Sequence, residues 1–331
     1  MLKSTFKVLA LGLALAASGL AVAADKVTYQ LDWLPGGDKA PVYVGIQQGF
    51  FADEGLQVSI ASGRGSTDAI TKIATRQSDL GSADIGALMA ARAQDDVPVS
   101  AIYTIFNQAP HAFFVLTSSD VETITDIQGK RVATSPFTSS NAFLPLLLKE
   151  NGMSEDAVRL TQTDPGALGP LLITGNTDAI IAWVTNVALF RDQAASAGKD
   201  IRVLPWSDAG LSLYSSAIVA SDRFLSERPE VAKRFMKAYA KSLEFTMANP
   251  EAAAADLNKM VPEVDPAVAV GQINDTRVLV VNEISAADGV GAMTPERVAS
   301  TWEWVAQANG LSTDSLDPET IINRGFMPES K

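Results

Sequence analysis

LDWLPGGDKAPVYVGIQQGFFADEGLQVSI, residues 31–60, is the stretch that decides the fold. Residues 27–31, which lead into it, alternate like a strand. Pro35, Gly36 and Gly37 break that strand after Asp32 and Trp33. Residues 40–49 read as a short helix, 49–55 as a turn, and 56–60 as a second strand. Strand, helix, strand is one βαβ unit, and such a unit implies parallel pairing. Trp33 therefore stands at the carboxyl end of a strand, where open α/β sheets collect their ligands. A ring that large is costly to leave in water, so its position calls for a partner.

Outward from this unit the rhythm continues. A helix is expected over 67–76, a strand over 80–85, a helix over 87–94 and a strand over 97–106. The pattern then restarts with strands at 113–116, 131–134, 179–182, 201–204 and 215–220. A helix that ends at Asn151-Gly152 lies among them, and a short helix and turn covers 124–130. From Pro229 onward the chain reads as helical, over 230–248, 250–260, 266–273 and 295–309, with Pro near each start. This order implies two α/β lobes with mostly parallel sheets. The expected division is 25–116 plus 214–331 for the first lobe and 117–213 for the second, with crossings near Leu116 and Tyr214.

Bulk composition narrows the function. Lys3 and Lys7, an apolar run, and Ala21-Val22-Ala23 make residues 1–24 a cleavable signal peptide, which implies export to the periplasm. Loss of the two lysines takes the formal charge from −12 to −14. Such a chain is a poor partner for nucleic acid or anionic membrane surfaces. The chain has no Cys, so disulfides, thiol catalysis and a lipid anchor on Cys are all excluded. It has one His, His111, at the entry to an apolar run, where a structural role is expected. One His excludes any multi-His metal site, and no nucleophile–base pair follows from the spacing, so neither a metal nor another cofactor is expected.

Several segments have the form of a ligand contact at a strand end. Ala61-Ser62-Gly63-Arg64-Gly65-Ser66-Thr67 follows a strand and opens a helix, and Ser66 and Thr67 either cap that helix or donate to a ligand. Thr134-Ser135-Pro136-Phe137-Thr138-Ser139-Ser140-Asn141 places a cluster of hydroxyls, Ser139 and Ser140 among them, before another helix. Pro145 is expected to delay or kink that helix. Trp183 follows the strand at 179–182 just as Trp33 follows the first strand. The two rings, one on each lobe, have the placement to sandwich a flat solute. Tyr214 lies at the second crossing with its hydroxyl expected to face the cleft. Asp84 ends the third strand, where it either accepts from a ligand amino group or caps the next helix. The helix face with Phe235, Ala238, Tyr239, Ser242 and Phe245 is core.

Leu31-Asp32-Trp33-Leu34-Pro35 followed by Gly49-Phe50-Phe51-Ala52-Asp53-Glu54-Gly55-Leu56 resembles the opening of the periplasmic solute-binding proteins of ABC importers. The branch is that for thiamine-precursor pyrimidines, sulfonates, taurine and nitrate. Residues 125–133, residues 221–230 and Asn249-Pro250-Glu251 extend the resemblance over nearly the whole mature chain. It implies a type II periplasmic binding protein: two α/β lobes, a hinge of two crossing strands, and a small-molecule ligand between them. It also implies a solute handed to permease subunits in the inner membrane. A monomer is expected, and the lack of Cys, the single His and the export signal lead to the expectation of no enzyme. A fungal pyrimidine synthase shares the fold but relies on a cysteine-rich motif and a reactive His. The Asp-Trp-x-Pro opening is most similar to the pyrimidine branch, where an aromatic ring from this loop is expected to stack on the heterocycle. An aliphatic sulfonate or taurine binder is the alternative. Asp32, Trp33, Ser66, Thr67, Asp84, Ser139, Ser140, Trp183 and Tyr214 are the expected ligand-binding residues. After Pro35, Gly36-Gly37-Asp38-Lys39 stands where the resemblance implies a stretch with Asn and His.

Overall fold

The computed structural model describes residues 23–328. The expected signal peptide lies outside the described residues but for its last two. Among the described residues ten strands form two five-stranded sheets. The first contains β1 (Asp25–Gln30), β2 (Leu56–Ala61), β3 (Leu80–Asp84) and β4 (Val99–Thr104). The second contains β5 (His111–Leu116), β6 (Arg131–Thr134), β7 (Arg159–Gln162), β8 (Ala179–Trp183) and β9 (Ile201–Pro205). The last strand, β10 (Ser216–Ser221), returns to the first sheet. Strand orders are β2-β1-β3-β10-β4 and β7-β6-β8-β5-β9.

Both sheets are mixed rather than mostly parallel. β1 pairs parallel with β2 and β3, and β6 pairs parallel with β7 and β8. Each sheet then receives one antiparallel strand, and in each case it is the strand that follows a crossing between the sheets. β10 enters between β3 and β4, with Ile218 opposite Ser82. β5 enters between β8 and β9, with Phe113 opposite Ile181. Because β5 pairs on both sides within the second sheet, the first crossing lies before His111 and not near Leu116 as expected.

The crossing segments, residues 105–110 and 206–215, run side by side. Ser215 N donates to Phe106 O (3.0 Å), while Ile105 N and Phe106 N donate to Ser216 O (2.7 and 2.9 Å). Two short, mutually bonded connections can twist without breaking either sheet, which is how a hinge works.

Both sheets are covered on both faces, so β3, β8 and β10 in their middles are buried end to end, and β8 and β10 read as apolar runs. On one face of the first sheet, Tyr29 and Ile218 pack with Phe235 and Tyr239 of the helix Pro229–Ala248. A second apolar cluster runs continuously from the other face of the first sheet into the second sheet. The helix Pro295–Ala308 bridges it, packing on Ile85–Asp95 of one lobe and Ser140–Glu150 of the other. The latter helix begins at Ser140 and carries Pro145 inside it, so Pro145 does not delay the start. Among the described residues no helix is long and apolar enough to cross a membrane.

A candidate ligand cleft between the two sheets

The loop after β1 folds back on its own charges. Lys39 Nζ lies 2.6 Å from Asp32 Oδ1 and 3.0 Å from Asp38 Oδ2, and all three side chains are almost wholly buried. Ser82 Oγ donates to Asp32 Oδ1 (2.7 Å) from β3. The loop is clamped from the helix Pro266–Val280, where Gln272 Oε1 accepts from Gly37 N (2.8 Å). Gly37 is required there for closeness: a Cβ would stand 2.2 Å from Ala269 O. Burial raises the Asp38 carboxyl's pKa against the pull of Lys39. Burial also opposes the charge on Lys39, but Asp32 and then Asp38 outweigh it and hold the ammonium well above its ordinary range.

Beside this ion cluster is a narrow pocket that spans about 320 Å³ when the solvent at its mouth is counted. The first lobe supplies Asp32, Trp33, Asp38, Gly65 and Ser66; the second supplies Thr138, Ala182, Trp183 and Asn186. These residues stand at or just beyond the carboxyl ends of β1, β2, β6 and β8, where the peptide dipoles and helix starts converge. Trp33 is half-buried and packs on the apolar cluster of the second lobe. Trp183 meets Phe106 and His111 edge-on at 5.9 Å, and Lys39 Nζ lies 5.5 Å from its ring centroid. Its indole Nε1 is buried without a hydrogen-bond partner among the described residues.

The lobes touch around the pocket. Thr67 N donates to Phe137 O (3.2 Å), Ser135 Oγ to Arg64 O (2.9 Å), and Thr185 Oγ1 to Asp38 Oδ2 (3.5 Å). Further out, Ala188 N at the start of the helix Val187–Ser196 donates to Asp275 Oδ2 (3.0 Å). This is a closed arrangement, with the pocket shared by both halves.

The structure thus brings together four of the nine expected residues: Asp32, Trp33, Ser66 and Trp183. Ser66 is committed in part, since its Oγ accepts from Asp84 N (3.0 Å). The other five lie outside the lining. Thr67 is exposed and uses its backbone across the lobes. Asp84 caps the helix that follows it, accepting from Ala87 N (3.1 Å), and also accepts from Ser215 Oγ. Ser140 Oγ is held by His111 Nδ1 (2.8 Å). Ser139 is buried beside it, its Oγ without a partner among the described residues. Tyr214 does not face the cleft: it is fully buried, its hydroxyl accepts from Thr294 N (3.1 Å), and Arg297 covers its ring. Of the other lining residues, Gly65 and Thr138 belong to the two segments read above as ligand contacts and Ala182 precedes Trp183 on its strand, while Asp38 and Asn186 were not expected. The departure at 36–39 was the one signal that pointed at Asp38.

Behind the pocket, Asp84 and His111 face each other across the hinge, with Nε2 3.9 Å from Asp84 Oδ2. Burial pushes the Asp84 carboxyl up to about 6 against its hydrogen bonds, and burial pushes His111 down to about 3. Asp84 is raised, so its contribution to stability is complete below its unfolded value of about 4 and is lost as pH rises through about 6. His111 is lowered, so its contribution is complete above about 6.5 and is lost as pH falls through about 3. Between these limits the two slopes oppose. Asp84→Asn removes the first, and its unfolding free energy should rise with pH by about 1–2 kcal/mol more than the parent's across about pH 4 to 6. Parallel urea-denaturation profiles for the two proteins would refute this.

Comparison with known proteins adds the following. A family model described as NMT1/THI5 like matches residues 37–253. The riboflavin-binding protein RibY of Chloroflexus aurantiacus is 24% identical over 92% of this chain and 86% of its own length. A formylaminopyrimidine-binding protein of Halalkalibacterium halodurans is 27% identical over 74% of this chain and 72% of its own. Among solved structures, the alkanesulfonate-binding protein SsuA of Xanthomonas axonopodis pv. citri superposes with a TM-score of 0.70 at 15% identity, covering 91% of this chain and 98% of that one. At that identity the likeness speaks to the fold, which is that of a periplasmic binding protein.

Proposed function

We propose a function from one premise: the chain belongs to the NMT1/THI5-like family. It is a solute-binding component of an ABC importer that captures a small heteroaromatic molecule between its lobes and delivers it, unchanged, to the importer's membrane subunits. It works as an exported, periplasmic monomer. The solute is a thiamine-precursor pyrimidine or a similar vitamin precursor. The riboflavin- and formylaminopyrimidine-binding relatives support that class.

One observation carries the choice of ligand. The pocket takes a tryptophan from each lobe, and its only charged lining groups are carboxylates. A flat ring with N–H donors suits such a site. A sulfonate needs a cation or several free donors. Lys39 is spent between two carboxylates, and Arg64 is half-exposed over the Phe137 ring, outside the lining. Turnover is disfavoured by the same chemistry: the chain has no Cys, and its one His is sealed in the hinge.

A thermal-shift screen tests the reading. A true ligand binds only the folded chain, so at about a hundred times its dissociation constant it adds about 2.7 kcal/mol of stability. Aminopyrimidines or riboflavin should raise the melting temperature, and alkanesulfonates should leave it unchanged. A shift by sulfonates alone would replace this reading with the sulfonate one, and a product found after incubation with a pyrimidine would make the chain an enzyme.

A further inference from the structure

We infer that Lys39 sets the charge selectivity of the cleft: its ammonium, locked between Asp32 and Asp38 and set against the Trp183 ring, leaves the pocket with a single net negative charge that admits neutral or cationic heteroaromatics and rejects anionic ones. The inference rests on the ligand class proposed above and names what that class must carry.

The geometry supports it from both lobes. Asp32 and Asp38 both line the pocket, while Lys39 lies behind them, bonded to one oxygen of each. Asp32 Oδ1 is shared with Ser82, and Asp38 Oδ2 receives Thr185 from the second lobe. The carboxylates therefore stay fixed, and the ligand meets their free edges. Buried charges of like sign this close are costly, and one cation between two anions lowers that cost most. Other ionisable groups near the cluster are Tyr29 on β1, Tyr43 on the helix Ala40–Gln47, Tyr239 on the helix Pro229–Ala248, and Asp84 at the end of β3. Burial raises all three tyrosines, so none brings charge at neutral pH. The second lobe adds Trp183 and Thr185, neither of them charged. Asp84 adds only further negative potential.

The three charges can be rearranged without rebuilding the loop. Asp38→Asn leaves the Asp32–Lys39 pair and a neutral cluster. The double variant Asp38→Asn/Lys39→Met leaves Asp32 alone and restores a single negative charge. Calorimetry would use three aminopyrimidines that carry, at one ring carbon, an aminomethyl (cationic), a hydroxymethyl (neutral) or a carboxylate (anionic) group. The parent protein should bind the first about ten-fold more tightly than the second, and the third about ten-fold more weakly. Asp38→Asn should narrow the whole spread to less than about ten-fold, and the double variant should restore it. An unchanged spread in Asp38→Asn, or a narrowed one in the double variant, overturns the inference.

If none of the three compounds binds, the proposed ligand class falls, and the charge arrangement is judged in the ligand-free chain. Lys39→Met leaves two buried carboxylates facing each other, so their folded-state pKa values rise. The variant should gain thermal stability relative to the parent as pH falls from about 8 to about 5, and the double variant, with one buried carboxylate in place of two, should gain clearly less. A Lys39→Met profile parallel to the parent's overturns the inference. So does failure of both Lys39 variants to fold: Met keeps the stem, so the ammonium would then be holding the loop together rather than setting selectivity.

Discussion

Gly65→Ala is expected to leave both lobes folded and to weaken ligand binding by about a hundred-fold. Gly65 is the last residue before the helix Ser66–Ala74, with φ at +153°. A Cβ there would lie 2.1 Å from Phe137 O, 2.2 Å from Phe137 C and 2.7 Å from Thr138 N. All three are backbone atoms of the opposite lobe, and none can swing away as a side chain would. The added methyl therefore acts chiefly on the closed form, where it also breaks the bond from Thr67 N to Phe137 O. Overpacking of this kind costs about 1–3 kcal/mol, and the strain of a positive φ adds about 1 kcal/mol in open and closed forms alike. Only the first part is felt by the ligand, because a ligand shifts an equilibrium by no more than its preference for one state. Small-angle scattering should find the ligand-free variant more open than the parent, and calorimetry should find the loss of affinity. Parent-like affinity with a parent-like radius would remove closure from the account of binding.

The same contact shows where sequence reasoning reaches and where it stops. Strands buried on both faces, such as Ala179–Trp183 and Ser216–Ser221, announce themselves as short apolar runs, and four helices from Pro229 on announce themselves through their starting prolines. Arg159–Gln162 was not legible, because it is an exposed edge strand with one apolar residue. The helix Val187–Ser196 was missed although Asn186 stands at its start; that side chain does not cap it, and its second residue is bonded instead by Asp275, which lies 87 positions further on. The sheet that β5 joins could not be read from order along the chain. A strand that has just crossed pairs with whichever sheet has unpaired edges in reach, and for β5 these were β8 and β9.

The site divides in the same way. The rule that ligands collect at strand ends found Asp32, Trp33, Ser66 and Trp183. It overreached to Tyr214, where proximity to the hinge was legible but the direction of the ring was not. Asp38 was missed because its burial is imposed from a distance, by Gln272, 235 positions from the glycine that it holds. Neighbouring Asp38 and Lys39 in a loop ordinarily read as solvated charges. What makes them part of a pocket is the helix Pro266–Val280 closing over them and the second lobe meeting them at Thr185 and Trp183. Function here depends on charges whose surroundings are supplied by the far half of the chain.

Trp33→Ala should cost more than any other single truncation in the lining, about 2–4 kcal/mol of binding free energy, or about thirty- to a thousand-fold in affinity. The two tryptophans are not equivalent. Trp183 is embedded between Phe106, His111 and Lys39, so removing it opens a cavity in the hinge and disturbs the ion cluster as well as the ligand. A weak binder made at Trp183 would report folding and binding together. Trp33 stands in a loop, half-buried, with the clamp from Gln272 and the Asp32–Lys39 pair holding the backbone on either side. Its ring contributes little to the core of its own lobe and packs instead against the second lobe, on the far side of the pocket. The ligand-free melting temperature of Trp33→Ala should therefore stay close to the parent's, while the upward shift produced by an aminopyrimidine or riboflavin disappears. Trp33→Phe keeps a flat face and should recover most of the affinity, which a purely steric role for the loop would not allow. Calorimetry on the three proteins decides the matter: equal affinity in the parent and Trp33→Ala would mean that the ligand sits elsewhere, and with it the reading of the strand mouth as one wall of the binding site would fall.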